Sequence, residues 1–178
     1  MSMKLFLDFD GVVNFFSSRS AYSKNRDTLG YMRRTSLLSG GSLYDVQYSA
    51  ELVKKLNDTH QELGFTWLWL TTWHKDAVAV VDKALGTQSD GFVDWSPHAG
   101  VRFGQSEAQT VAVRASNKLS VLKANYGDEP FIWVDDDATD NFNPDDFPVP
   151  HLVVKPDERY GITRTDWDKM AEFMRAHS

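Results

Sequence analysis

Apolar residues gather in four short runs: Leu5 to Leu7, Phe65 to Leu70 (broken by Thr66 alone), Phe131 to Val134 and Leu152 to Val154. Such runs lack the alternation of a half-exposed strand and predict strands buried on both faces, as in a parallel sheet. Gly91-Phe92-Val93 predicts a further short one. Between the runs the apolar spacing becomes helical. Leu52, Val53, Leu56 and Leu63 predict a helix over 49–63, with Ser49 as N-cap and Gly64 as terminator. Ala77, Val78, Val81 and Leu85 predict the inner face of a helix over 74–85, stopped by Gly86. Leu119, Leu122 and Tyr126 predict another over 117–126, whereas Gln105–Ala115 reads equally as helix or irregular loop. Trp167, Met170, Phe173 and Met174 predict a last helix over 164–176, entered through a Thr163/Asp166 capping box. Strands alternating with helices predict an α/β fold, Rossmann-like, with a mainly parallel sheet of about five strands and helices on both faces.

Residues 15–48 interrupt that alternation. Up to residue 44 they are rich in Ser, Gly, Arg and Tyr, and Gly40-Gly41 marks a turn. About thirty residues without regular structure are unusual in a compact domain unless they form a flap or lid. The expectation is a small cap or flap after the first strand, with one or two short hairpins around Tyr31–Leu38, inside a single domain spanning 1–178.

Charge sharpens this picture. The net charge of −6 argues against a surface that coats nucleic acid. Yet residues 15–44 carry Arg19, Lys24, Arg26, Arg33 and Arg34 against Asp27 alone. A basic flap beside an acidic site suits an anionic substrate, although a solvated basic loop has the same composition. The absence of cysteine excludes disulfides and thiolate metal sites. No run approaches a membrane span and no leader pattern is present, so a cytoplasmic chain without a membrane partner is expected. No protein partner can be read from the sequence.

The strand ends carry the candidate chemistry. Asp8 and Asp10 follow the first run and, two apart, point to the same side. They lie where open α/β sheets bind ligands, at the carboxyl end of a strand. Two carboxylates forced together repel, and a hard cation such as Mg²⁺ relieves the repulsion. Thr71 and Thr72 end the second long run, and either hydroxyl suits a phosphate oxygen. Asp135-Asp136-Asp137 and Asp140 follow the third. Lys118 falls in the first turn of its predicted helix, where it opposes the helix dipole, which suggests another benefit holds it there. Trp73, His74, Trp95 and His98 also follow strand ends, and an aromatic there is a platform for a base, though most tryptophans are packing residues.

This order of features resembles the haloacid dehalogenase (HAD) superfamily over nearly the whole chain. The Trp-Leu-Thr-Thr-Trp run, the Trp-Val-Asp-Asp-Asp run and the Lys-Pro-Asp-x-x-x-Gly-Ile-Thr ending at 155–163 look more narrowly like HAD domains associated with RNA-repair proteins. The resemblance implies a phosphatase with Asp8 as nucleophile, Asp10 as general acid and base, and Thr71 and Lys118 on the transferring phosphoryl group. It implies Mg²⁺ held by Asp8, the main chain of Asp10, and Asp135 or Asp136. Three consecutive aspartates leave Asp135/Asp136 and Asp136/Asp140 as alternative pairs. Thr72 stands as an alternative to Thr71, and Lys123 to Lys118. Val12 occupies the place where the protein-phosphatase branch has Thr, which disfavours phosphoproteins. The implied substrate is a nucleic-acid terminal phosphate or a nucleotide, contacted by Thr72, Trp73, Arg33 and Arg34. A small-metabolite phosphatase, a phosphotransferase, and a non-catalytic module that binds nucleic acid or a partner are the competing readings.

Overall fold

The computed structural model describes residues 3–95, 104–138 and 142–178. Strand β1 (Lys4–Leu7) is followed by a short helix α1 (Arg19–Lys24), strands β2 (Met32–Ser39) and β3 (Ser42–Ser49), and helix α2 (Ala50–Leu63). Next come β4 (Thr66–Trp69), a π-helical stretch (Ala77–Asp82) that runs into α3 (Lys83–Leu85), β5 (Gly91–Phe92) and the long α4 (Glu107–Tyr126). Strand β6 (Phe131–Val134), a 3₁₀ turn (Pro144–Asp146), β7 (His151–Val154) and α5 (Arg164–His177) follow.

Five strands form one parallel sheet in the order β5-β4-β1-β6-β7. Alternation along the strands sorts the core into two layers. Leu5, Leu7, Trp67, Trp69, Ile132 and Val134 share one face and pack against Leu52 and Leu56 of α2 and Trp167, Met170 and Met174 of α5. Phe6, Phe131 and Trp133 face the other way, against Leu119 and Leu122 of α4. The α/β sheet with helices on both faces therefore stands as expected. The chain leaves β1 towards β4 and β5, then returns to β6 on β1's other side. That reversal opens a crevice at the carboxyl ends of β1 and β6.

Three local expectations are corrected. The helix foreseen over 117–126 begins ten residues earlier, at Glu107, where Ser106 and Gln109 form a capping box. Lys118 therefore lies in the helix interior, away from the amino end where a cation opposes the dipole. The segment after β4 bonds as a π-helix at Ala77–Asp82. Its i→i+5 pattern widens the turn. Ala77, Val81 and Leu85, four apart, stay buried, while Val78 turns outward and is 36% exposed. The insertion holds one longer hairpin rather than short ones near Tyr31–Leu38: β2 and β3 pair antiparallel about Gly40-Gly41, with α1 before them. Leu37 and Val46 bury one side of that hairpin in the main core.

The ending at 155–163 buttresses the loop after β1. Ile162 N–H donates to the Val12 carbonyl at 3.0 Å, and Phe16 N–H donates to the Glu158 carbonyl at 2.9 Å. Gly161 has φ +62°, and a Cβ there would lie 2.3 Å from the Val12 oxygen. Gly161→Ala is expected to cost about 2 kcal/mol or more of unfolding free energy, through backbone strain and loss of that approach. Urea titration checks this, and a shift below about 0.5 kcal/mol would show that the two loops do not depend on each other.

Candidate active site

The two central strands each deliver a carboxylate to the crevice. Asp8 follows β1 and Asp135 follows β6, and both are buried. Their backbones still belong to the sheet: Asp8 N–H donates to Val134 and Asp135 N–H donates to Val154. Lys118 reaches up from α4 between them. Its Nζ pairs with Asp8 Oδ2 and with Asp135 Oδ2, the latter at 2.6 Å, and lies 5.5 Å from the Trp95 ring centroid. Burial works against the ammonium's charge, but Asp8 and Asp135 outweigh it and hold the proton more tightly than usual. Burial pushes Asp135 up to about 6 while Lys118 pulls it back. The remaining oxygen of Asp8 accepts from Phe9 N–H at 2.6 Å, and that of Asp135 from Asp137 N–H at 2.9 Å.

Asp10 is held separately. Asn14 Nδ2 donates to its Oδ1 at 2.7 Å and Trp73 Nε1 donates to its Oδ2 at 2.8 Å. Burial outweighs these two donors and raises Asp10 above the ordinary carboxylate range. Both donors also touch the hairpin. Asn14 Oδ1 accepts from Gln47 N–H of β3 at 3.0 Å, and the Trp73 ring meets Tyr44 edge-on at 5.2 Å.

Asp136 completes the cluster. One oxygen from each of Asp8, Asp135 and Asp136 lies within 4.8 Å of the other two. Gly11 makes this approach feasible, since a Cβ there, at φ +75°, would sit 2.2 Å from the Asp136 carboxylate. Burial, with Asp137, Asp8 and Asp135 adding to it, pushes Asp136 up to about 8. Three oxygen donors around an under-neutralised carboxylate suit a hard divalent cation. Asp136 faces the inner cavity, whereas Asp135 is fully buried beneath it. Asp140 and His98 lie outside the described residues.

The inner cavity, of about 170 Å³, is lined by Asp8, Asp10, Asp136, Asp137 and Lys118, with Phe16, Thr72, Arg114 and Ala115 around them. Thr72 thus faces the cavity, while Thr71 is buried and takes the Trp73 N–H at 3.4 Å. Lys123 pairs instead with Asp146 on the surface. Arg33 and Arg34 are exposed on β2, and neither lines this cavity. Being adjacent on a strand, they point to opposite faces. Arg34 lines a shallow hollow with Asp45 and Gln47. His74, at φ 48°, stacks on Trp95 at 5.8 Å and supports the ring beside Lys118. Arg114 was not anticipated. It stands one helical turn before Lys118, and its Nε is buried without a hydrogen-bond partner among the described residues. The i, i+4 spacing to Lys118 was its signal, legible only once α4 is known to begin before it.

No match to the chain emerges among curated proteins or among solved structures. The family model described as "HAD domain in Swiss Army Knife RNA repair proteins" matches residues 4–167, from β1 into α5, and takes in every residue of the cluster just described. The chain belongs to this family of HAD domains.

Proposed function

We propose that the chain is a Mg²⁺-dependent phosphatase that forms an aspartyl-phosphate on Asp8 and acts on the terminal phosphate of a nucleic acid or on a nucleotide. The observation that carries the reading is the division of labour between two carboxylates on one strand end. Asp8 is paired with Lys118, which fixes its carboxylate at the strand end, as a nucleophile needs. Asp10 is half-buried, raised and steered by two donors, as a proton carrier needs. Asp8 attacks phosphorus and the bond to the leaving oxygen breaks. That oxygen takes the proton of Asp10. Asp10 then receives a proton from water as the water attacks the aspartyl-phosphate, which frees phosphate and restores Asp8. Lys118 has three N–H donors and spends two on Asp8 and Asp135, so one remains for a phosphoryl oxygen. Thr72 and Arg114 add donors from the cavity wall.

Asp8, Asp136 and the main chain of Asp10 would hold Mg²⁺, with Asp135 behind them. When bound, the ion offsets the charge of the carboxylates and phosphate that must meet. The family's description supports nucleic acid as the substrate class.

Asp8→Asn is expected to lower phosphate release from a 3′-phosphorylated oligoribonucleotide and from the matching mononucleotide by roughly 10³-fold or more. Full activity would remove Asp8 from the nucleophile's role, and Mg²⁺-independent release would remove the ion. The raised Asp136 has a definite sign in stability. The folded state holds its proton more tightly than the unfolded chain does, so stability is lost as pH rises from about 4 towards about 8. Melting midpoints in EDTA should therefore fall between pH 6 and pH 9. Mg²⁺ should restore more of the midpoint at pH 9 than at pH 6, and Asp136→Asn should flatten both trends. If the substrate is a polynucleotide, Arg34→Ala should weaken it, with the loss shrinking at high salt and a salt slope reduced by about one. Equal loss on the mononucleotide would free the hairpin of that role.

A further inference from the structure

A second cavity, of about 490 Å³, adjoins the inner one and shares Asp10, Phe16 and Thr72 with it. We propose that this outer cavity is the leaving-group subsite and that it holds the nucleoside of a nucleotide phosphate, with Tyr44 and Phe16 as its stacking surfaces. The proposal rests on the phosphatase reading above.

Direction comes from the reaction. The attacking and leaving oxygens of a phosphoryl transfer lie roughly in line on opposite sides of phosphorus. Asp8 and Lys118 line only the inner cavity, whereas Asp10 lines both. With Asp8 attacking and Asp10 protonating, the leaving oxygen sits at the Asp10 boundary. The rest of the substrate then extends into the outer cavity.

The lining names the chemistry. Phe16, Tyr44 and Trp73 supply aromatic surface. Trp73 is pinned by its hydrogen bond to Asp10 and by edge contacts with Phe9 at 5.4 Å and Tyr44 at 5.2 Å. Phe16 and Tyr44 are instead 52% and 46% exposed, an apolar cost that a stacked ring would recover. Asp45 and Ser39 stand beside them, with Asn14 at the inner end. Asp45 accepts from Ser36 at 2.8 Å on one oxygen, and a carboxylate has acceptor capacity beyond that bond. No lysine or arginine lines this cavity among the described residues. A second phosphate is therefore poorly served there. A flat, uncharged group with N–H and O–H donors, a base with its ribose, is well served. The volume lies within the range of small-molecule sites.

The test compares phosphate release from nucleoside monophosphates, from a 3′-phosphorylated oligoribonucleotide and from glycerol phosphate, which keeps the ester but lacks a ring. Wild type should prefer nucleotides, through KM, by about tenfold or more. Tyr44→Ala should erase most of that preference and Tyr44→Phe should keep it. Equal efficiency on glycerol phosphate, or a preference untouched by Tyr44→Ala, would overturn the subsite. Dependence on Tyr44 with the mononucleotide alone would identify a free nucleotide as the occupant. The same dependence with the oligonucleotide would identify the terminal residue of a chain. If no ester releases phosphate, the phosphatase reading has failed on its own, and calorimetric titration of Asp8→Asn protein with adenosine, guanosine and uridine still decides the subsite. Binding that Tyr44→Ala abolishes supports it, and no binding overturns it.

Discussion

The site is organised by one buried cation between two buried anions. Asp8 and Asp135 end neighbouring parallel strands, so the sheet itself forces their carboxylates together. Without Lys118 that convergence would leave like charges in a water-poor crevice, and removing one partner of such a buried group typically costs several kcal/mol. The ammonium has to arrive from the far layer. Helix α4 therefore runs long enough to place Lys118 beneath the crevice, with Leu119 and Leu122 binding the helix to the sheet. Trp95 closes over the ammonium, and its indole N–H donates to the Thr71 carbonyl at 3.2 Å. The end of β4 is thereby tied to the same charge as the ends of β1 and β6.

Much of the sheet was legible because a strand buried on both faces leaves a near-continuous apolar run, and the flanking Asp, Thr and Gly residues marked where each run stops. Helices α2 and α5 were legible from their stripes and caps. Helix α4 was not, because its first two turns, Glu107 to Arg114, contain no buried residue and so offer no inner stripe. That omission misplaced Lys118 along its helix and hid Arg114. The hairpin was harder still. Most of its strand residues are at least partly exposed, and only Leu37 and Val46 are buried in the main core, with Tyr48 partly buried against it, so Gly40-Gly41 was the one reliable mark. At the candidate site, the order of acidic strand ends was enough to nominate Asp8, Asp10 and the aspartate run, because the fold brings strand ends together whatever the loops do. Which threonine and which lysine faces the cavity depends on side-chain direction, and no spacing argument resolved that: Thr72 rather than Thr71 lines it, and Lys123 turns away to Asp146.

Glycine has two specific uses here. At Gly11 the missing side chain admits the Asp136 carboxylate, and at Gly161 it admits the Val12 carbonyl. Both contacts converge on the loop after β1, one from the site and one from behind. The ending at 155–163 therefore belongs physically with the first strand end, although about 150 residues separate them. A loop clamped from both sides is preorganised, which suits the nucleophile's role proposed for Asp8.

Asn14 gives the hairpin two regimes of variability. One end of its amide holds Asp10 and the other holds the β3 backbone at Gln47, so the root of the hairpin is set to the same tolerance as Asp10. The tip has open space around it, since a side chain at Gly40 or Gly41 would meet no atom within 4 Å, although both glycines take a positive φ and Ser39 beside them bonds Asp76. The space at the tip admits a longer turn without disturbing Asp10, whereas a one-residue slip at the root would turn it. The architecture thus separates a part of the molecule with room to vary from a part that has to stay still.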